Sequence, residues 1–315
     1  MTGFLSRRVT RVIILLLLGG MILGIGHRFE TLSYQAYLRD IKLEAAGELI
    51  KVRERIRSDI FQNILKLREM ATVISENPDI TQAEFSARAA DFMTGNPEVI
   101  NIAAAPELVV RMVHPLEPNR SVIGLDYLDN PDQLPKVLQA MQTGKGLITG
   151  PVDLVQGGRG LILRHPVFYT ANPGELGRPW GLISMVVDYD RFVAASRIAD
   201  VSNSYDVMIR ELNPDGTVEQ VILGDPQVAG ADPIKLDFDF AYGQWEMAAT
   251  VKGGWPEHRP DYWLNWLILL TLAGGAMTFA SYVMRLSETR HLAEERLRTG
   301  IEALDHGFVM FDPNG

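Results

Sequence analysis

The chain has 315 residues, of which 47% are hydrophobic and 22% charged, so it is long enough for two domains and is not compositionally disordered. Its formal net charge of −9 argues against a nucleic-acid-binding surface, which usually carries a basic stripe. It contains no cysteine, which excludes disulfides, thiolate metal sites and cysteine nucleophiles.

Two apolar segments dominate the hydropathy pattern. Residues 12–26 carry no charge but are short for a membrane span, so a cleavable signal peptide is the alternative. No A-x-A-like cleavage site follows, which favours an uncleaved transmembrane helix over residues 12–28. Residues 262–284 also carry no charge and are long enough to cross a hydrocarbon core of roughly 30 Å at about 1.5 Å per residue.

The charges beside these segments predict the orientation of the chain. Arg7, Arg8 and Arg11 precede the first segment, and Arg285 and Arg290 follow the second. By the positive-inside rule, both ends of the chain are expected to be cytoplasmic. Residues 1–11 are then a cytoplasmic N-terminus, and about residues 29–261 are extracytoplasmic.

After the first span, residues 29–77 are predicted to form one long helix. From Leu38 to Ile74, apolar residues recur at steps of three or four, and Asn77-Pro78 ends the pattern. Two interpretations of this stripe remain open at this point. The helix either packs on its own domain or contacts a second copy as a dimer seam.

Residues 78–200 alternate between helix and strand patterns. The patterns predict a helix over residues 79–93, strands over 99–104 and 108–113, a buried central strand over 180–187 and a helix over 189–199.

Residues 119–168 hold the most specific pattern. A helix is predicted over residues 132–143, after a turn at Asn130-Pro131, because Leu134, Val137, Leu138 and Met141 form one apolar face and Gly144 supplies a stop. Short strands at residues 146–148 and 160–163 bracket a glycine-rich loop. The helix, loop and strands could together form the walls of a pocket.

Residues 201–261 predict a small second lobe of strands. The expected strands are residues 205–211, 217–223, 234–240 and 244–251, with Gly216 in the first turn. Asp237 and Asp239 alternate with phenylalanines, so they are expected on a solvent face rather than as an acid–base pair.

At residues 119–168 the chain resembles a known family. The motifs I-G-L-D, T-G-K, L-I-T-G-P, L-V-Q-G-G-R-G and P-V-F-Y occur in the order found in the CHASE domain. This is an extracytoplasmic sensor family of bacterial signalling proteins and plant cytokinin receptors. The resemblance extends over residues 30–255. It implies an α+β fold with a long N-terminal helix and two PAS-like lobes, membrane-distal at residues 78–200 and membrane-proximal at 201–261, flanked by the two transmembrane helices, in a bacterial inner membrane.

The same resemblance implies a ligand site. Matched to plant cytokinin receptors, the position of their ligand-facing carboxylate is Gln133, that of a pocket threonine is Arg164, and Thr149 and Val155 occupy two other matched positions. Arg offers only donors, so if Arg164 faces the pocket, the ligand is expected to be an anionic small molecule rather than a cytokinin-like adenine. The alternative is that Arg164 faces solvent at a strand end.

The sequence shows no catalytic constellation. His114 and His165 are isolated, and no metal-binding or phosphate-loop motif is present. No catalytic residue, metal or cofactor is therefore expected in these 315 residues.

The final segment suggests how the signal leaves the sensor. Residues 285–304 have the pattern of a signalling helix, and residues 305–315 resemble the opening of a cytoplasmic PAS domain, as if the chain were the front of a longer protein. The expected protein is a homodimeric sensor histidine kinase of a two-component system. The alternatives are a diguanylate cyclase or phosphodiesterase, and a non-enzymatic chemotaxis-type transducer.

Overall fold

The computed structural model describes residues 2–155, 157–169, 177–213, 215–240 and 243–305. The chain separates into two compact units. One contains Met1–Asp40 and Pro256–Gly315, and the other contains Ile41–Trp255. Both sheets and every strand lie in the second unit.

The helices of the described residues include two that are much longer than the rest. They are α1 (Thr2–Glu76), α2 (Gln82–Met93), α3 (Leu116–Asn119), α4 (Leu134–Thr143), α5 (Tyr189–Ser196), α6 (Ile198–Ser202) and α7 (Tyr262–Asp305), with short 3-10 helices at Arg120–Val122 and Pro226–Gly230. The strands are β1 (Val99–Pro106), β2 (Met112–His114), β3 (Leu147–Asp153), β4 (Arg159–Phe168), β5 (Pro179–Asp188), β6 (Tyr205–Leu212), β7 (Val218–Leu223), β8 (Ile234–Phe240) and β9 (Gly243–Val251).

The first sheet has the order β2-β1-β5-β4-β3, with antiparallel neighbours. β5 is central, as its apolar run predicts, because a strand covered on both faces has no solvent side to carry polar residues. The second sheet has the order β7-β6-β9-β8, also antiparallel. The α+β class, the long N-terminal helix and the two sheets are therefore confirmed.

The apolar stripe of α1 packs within its own domain. Its residues share one core cluster with both sheets and are almost inaccessible to solvent: Leu49, Val52, Ile56, Ile60, Ile64, Leu67, Ala71 and Ile74. Polar contacts lie along the same helix: Arg53 Nη1 donates to the carbonyl of Asp237 (3.4 Å), and Ser75 Oγ donates to that of Phe168 (2.7 Å). Of the two interpretations of this stripe, packing on its own domain is correct, and these residues are not available as a dimer seam.

Helix α4 begins two residues later than predicted, at Leu134 rather than residue 132, and ends as predicted at Gly144. This glycine adopts a left-handed backbone (φ 66°) and donates its N–H to the carbonyl of Ala140. The predicted apolar face is partly wrong, because Leu138 is exposed while Val137 and Ala140 are buried. Only the side of α4 that carries Val137 and Ala140 packs against the first sheet, so Leu138 is left exposed.

The helix predicted over residues 189–199 is divided into α5 and α6. Arg197 has a left-handed backbone (φ 54°), which ends α5 and precedes α6. The hydroxyl of Ser196 accepts the N–H of Ile198 at 3.2 Å, so it satisfies a donor that the break would otherwise expose. The strand predicted over residues 108–113 is also shorter than expected, since β2 begins only at Met112.

The first unit consists of the beginning of α1 and the whole of α7. Both helices are long and apolar enough to cross a membrane. They approach closely at Gly19 and Gly26, where an added Cβ would lie 2.8 Å from Met277 Sδ and 2.6 Å from Leu269 Cδ1. Small residues allow such backbone approach between helices in a bilayer. Most of the predicted start of a PAS domain, residues 306–315, lies outside the described residues.

Candidate functional site

A row of buried polar side chains crosses one face of the first sheet. Four adjacent strands contribute one residue each: Asn101 from β1, Ser184 from β5, Arg164 from β4 and Thr149 from β3. The β4–β5 register places Arg164 directly opposite Ser184. Because buried polar groups need partners, such a row in a sheet otherwise filled by apolar residues marks a candidate site.

Strand alternation explains why Arg164 points away from α1. Leu161 and Leu163 belong to the core cluster that contains the α1 stripe, and Arg164, one residue further, projects from the opposite face. The opposite face is covered by α4, through Val137 and Ala140. The side chain is therefore enclosed between the sheet and α4.

Arg164 is only 1% exposed and is held by neutral groups. Its Nη1 donates to Thr149 Oγ1 at 2.8 Å, and its Nη2 donates to Gln133 Oε1. The guanidinium carbon lies 5.7 Å from the centroid of the Tyr127 ring, and the buried Nε has no hydrogen-bond partner. Among the residues that the structure describes, no carboxylate forms an ion pair with this side chain. Burial lowers the pKa of the guanidinium from its ordinary value, but arginine stays charged in proteins.

The local backbone positions the partners of Arg164. Gln133 precedes α4, and its N–H donates to Asn130 Oδ1 at 3.2 Å. Thr149 is followed by Gly150, which has φ 134° and where an added Cβ would lie 2.8 Å from the Gly160 carbonyl oxygen. β3 can approach β4 this closely only with glycine at that position.

A second set of polar contacts lies beside Arg164. Asn101 Nδ2 donates to Asn119 Oδ1 at 2.9 Å, and Asn119 Nδ2 donates to the carbonyl of Pro115 at 3.0 Å. The hydroxyls of Tyr127 and Ser184 are 3.3 Å apart. These side chains largely satisfy one another, whereas the charge of Arg164 is not neutralised by any of them.

A small cavity of about 40 Å³ lies in this region. Its lining residues include Asn101, Tyr127, Gln133, Val155 and Ser184. Arg164 does not line it, but its partners Gln133 and Tyr127 do. A cavity of this size accommodates a few water molecules at most, so a larger molecule requires it to expand.

The structure brings three of the four predicted site residues into contact. Gln133, Thr149 and Arg164 are hydrogen-bonded to one another through the guanidinium, whereas Val155 is 59% exposed at the edge of the cavity. The alternative that Arg164 faces solvent is wrong. That these four residues bind a ligand stays a prediction.

Sequence reasoning missed four polar residues of this face. They are Asn101, Asn119, Tyr127 and Ser184. Two gave a usable signal, since Asn101 and Ser184 interrupt apolar strands that are covered on both faces.

Residues 43–219, more than half of the chain, match the family model of the CHASE domain. The chain belongs to the CHASE domain family. CHASE domains are extracellular sensory domains, so this chain contains the sensory domain of a membrane receptor. The four predicted site residues all lie within the matched part of the CHASE domain. Two helices that could span a membrane, one before its strands in the chain and one after them, accord with this assignment.

Solved structures similar to this CHASE chain include sensory domains of bacterial receptors. One is an extracellular ligand-binding receptor from Desulfohalobium retbaense (TM-score 0.49, 18% identity), where the match covers 64% of this chain and 39% of that protein. Another is the ligand-binding domain of the Pseudomonas aeruginosa amino acid chemoreceptor PctB in complex with L-Arg (0.48, 11%, covering 68% and 95%). A third is the sensory domain of the Campylobacter jejuni chemoreceptor Tlp3 (0.47, 10%, covering 72% and 98%). No curated protein matches the sequence.

Proposed function

We propose that this chain is the ligand-sensing and transmembrane part of a bacterial inner-membrane receptor, and that its sensory domain binds a small anionic molecule at Arg164. The observation that carries the proposal is the burial of Arg164 without a carboxylate partner in the described part of the chain. An unpaired buried charge costs several kcal/mol, and the planar guanidinium matches a carboxylate or phosphate. A ligand anion would supply the missing negative charge.

Gln133 is the side chain that must move for the anion to reach Arg164. Gln133 lines the cavity and also accepts a hydrogen bond from the guanidinium, so it lies between the cavity and Arg164. An anion that takes its place on Nη2 would replace a neutral acceptor by a charged one, and charge-assisted hydrogen bonds are roughly twice as strong as neutral ones. Ligand entry is thereby coupled to the start of α4, where Gln133 lies.

The chemistry of Arg164 also defines what should bind poorly. A guanidinium provides only donors, and the buried Nε still needs an acceptor. A neutral adenine derivative offers no negative charge to this group. We therefore expect small carboxylates or phosphates to bind better than cytokinin-like adenines.

Thermal unfolding of the full chain in lipid nanodiscs tests this proposal. A panel of small mono- and dicarboxylates, inorganic phosphate and adenine should include an anion that raises the Tm of the native chain. Arg164→Met should remove this rise, measured from the variant's own Tm without ligand, because the substitution also takes the donor away from Thr149 Oγ1 and Gln133 Oε1. Arg111→Met, at an exposed position of the same domain, is the matched control and should keep the rise. Stabilisation by adenine that survives Arg164→Met would contradict the proposal.

The proposed topology places both ends in the cytoplasm and about residues 29–261 in the periplasm. The basic residues next to the two candidate spans support it. An enzyme that is active only in the periplasm should be active when fused after Gly230 and silent when fused after Gly300. The reverse pattern would refute this orientation.

A homodimer is also part of the proposal, and a different face of α1 supports it. Leu43, Ile50 and Phe61 are exposed apolar residues on this helix. Their separations of seven and eleven residues are close to two and three helical turns, so they lie in one line away from the buried stripe. Because the chain has no native cysteine, Phe61→Cys should give covalent dimers on oxidation in membranes, and the exposed neighbour Gln62→Cys should give far fewer. Equal yields would argue against this seam.

The proposed output is a sensor histidine kinase, with a diguanylate cyclase or phosphodiesterase and a chemotaxis-type transducer as alternatives. Residues 285–304 continue α7, and residues 285–301 of it are mostly exposed and rich in charge, which suits transmission to a cytoplasmic output. Incubating membranes that contain the full-length protein with ATP, and separately with GTP, tests this choice. ATP-dependent autophosphorylation supports the kinase, and cyclic di-GMP formation supports the cyclase.

A further inference from the structure

A second small cavity lies on the α1 side of the first sheet, on the opposite face from Arg164. Its volume is about 10 Å³, and it is lined by Asp59 and Asn63 of α1, by Glu98 just before β1, and by apolar residues that include Leu161 and Phe192. Asp59 and Asn63 are four residues apart on the helix, so they lie on the same side of it. The cavity therefore brings oxygen atoms from α1 and from the entry to β1 together.

The oxygen atoms at this cavity lack partners. Asn63 is 5% exposed, and its buried Oδ1 makes no hydrogen bond. Within the described ranges, the carboxylates of Asp59 and Glu98 take part in no ion pair or side-chain hydrogen bond. Asp59 and Glu98 line the same small cavity, so their negative charges repel each other beside an unsatisfied amide oxygen.

We propose that Asp59, Asn63 and Glu98 form a binding site for a divalent cation of the calcium class. Carboxylate and amide oxygens are the ligands that Ca²⁺ prefers, and the half-exposed carboxylates leave room for water to complete its coordination. A cation would neutralise the repulsion between the carboxylates and give the orphan Oδ1 of Asn63 a partner. It would also join α1 to the start of β1.

The protein supplies few ligand atoms to the cation, which predicts weak affinity. Two carboxylates and one amide oxygen are fewer than the ligands of a high-affinity calcium loop, so the dissociation constant should fall in the range of extracellular modules, about 0.1–1 mM. This range suits a domain outside the cytoplasm. The site is independent of the proposed ligand at Arg164, which lies across the sheet from it.

Thermal unfolding of the full chain in nanodiscs, after chelation of metal ions, tests the site. CaCl2 at about ten times the expected dissociation constant should raise the Tm by about 3–6 °C, whereas NaCl at equal ionic strength should not. Asp59→Asn and Glu98→Gln should each abolish the calcium-dependent rise. Each should also raise the Tm without calcium, since each removes the carboxylate repulsion.

Two controls separate site binding from general effects of charge. Glu69→Gln removes an exposed carboxylate elsewhere on α1 and should keep the full calcium-dependent rise. Asn63→Leu should abolish the rise although it changes no charge. The proposal is overturned if calcium leaves the Tm of the native chain unchanged, if NaCl reproduces the rise, or if the rise survives Asp59→Asn.

Discussion

Lys136 forms a polar connection between α4, the helix that covers Arg164, and the second sheet. It lies one turn after Gln133 in α4, and its Nζ is 3.1 Å from Glu211 Oε1 and 2.8 Å from Glu219 Oε2. Gln220 Nε2 also donates to Glu211 Oε2 at 2.7 Å. Burial alone would lower the pKa of Lys136, but Glu219 and Glu211 together raise it, so the ammonium stays charged.

The two carboxylates should contribute unequally. The side chain of Glu211 is 4% exposed, whereas that of Glu219 is 32% exposed. Breaking a fully buried pair costs about 3–5 kcal/mol, and a surface pair contributes at most about 1 kcal/mol. Because Lys136 is itself partly exposed and Gln220 still donates to Glu211, Lys136→Met should lower the free energy of unfolding by about 2–3 kcal/mol. Glu219→Gln should cost about 0.5–1 kcal/mol.

Thermal unfolding of the full chain in nanodiscs measures this difference. Lys136→Met should lower the Tm by about 4–12 °C, and Glu219→Gln by about 1–4 °C. The double variant Lys136→Met with Glu211→Gln should recover most of the loss, because no unpaired buried carboxylate remains. Equal losses for Lys136→Met and Glu219→Gln, or no recovery in the double variant, would refute the reasoning. In the native chain, the contribution of Lys136 is fully present below its unfolded pKa and is lost as the pH rises through the higher folded value.

Two further predictions concern other parts of the chain. The pKa of Asp59 in the folded chain is raised, first by burial and then by Glu98. The contribution of Asp59 to stability should therefore be lost as the pH rises from about 3.8 through the folded value. In calcium-free buffer, Asp59→Asn should remove this part of the dependence of the Tm on pH. At Gly26, an added Cβ would lie 2.6 Å from Leu269 Cδ1. Gly26→Leu should therefore weaken the pairing of α1 with α7 and lower the detergent concentration at which the first unit unfolds. Gly24→Leu is the control, because nothing lies within 4 Å of an added Cβ there, and an equal effect would refute the contact.

Much of the fold follows from local sequence patterns. The stripe of α1, the stop at Gly144 and the apolar run of β5 each depend on residues close together in the chain, so periodicity and turn chemistry were sufficient to predict them. The break at Arg197 was missed because nothing at that position signals a left-handed backbone, which glycine or asparagine usually provides.

The site was harder to predict because both faces of the first sheet are buried. Around Arg164, the neighbours Ile162 and Leu163 are both apolar although they point to opposite sides, so alternation could not show which side Arg164 occupies. The resemblance to the CHASE family supplied the candidates instead. Asn101 and Asn119 were missed as a pair because Asn101 lies on β1 and Asn119 at the end of α3, and only the folded chain brings them together.

The register of β4 also bears on how the receptor can evolve. Leu163 packs with the stripe of α1, while Arg164, the next residue, contacts Thr149 beneath α4. Alternate side chains of β4 thus lie on opposite faces of the sheet. Under the proposed binding at Arg164, substitutions at even positions change what is bound without altering the packing on α1. An insertion or deletion of a single residue in β4 would exchange the two faces and disrupt both at once. We therefore expect ligand preference in related receptors to diversify by point substitution within a strand of fixed length.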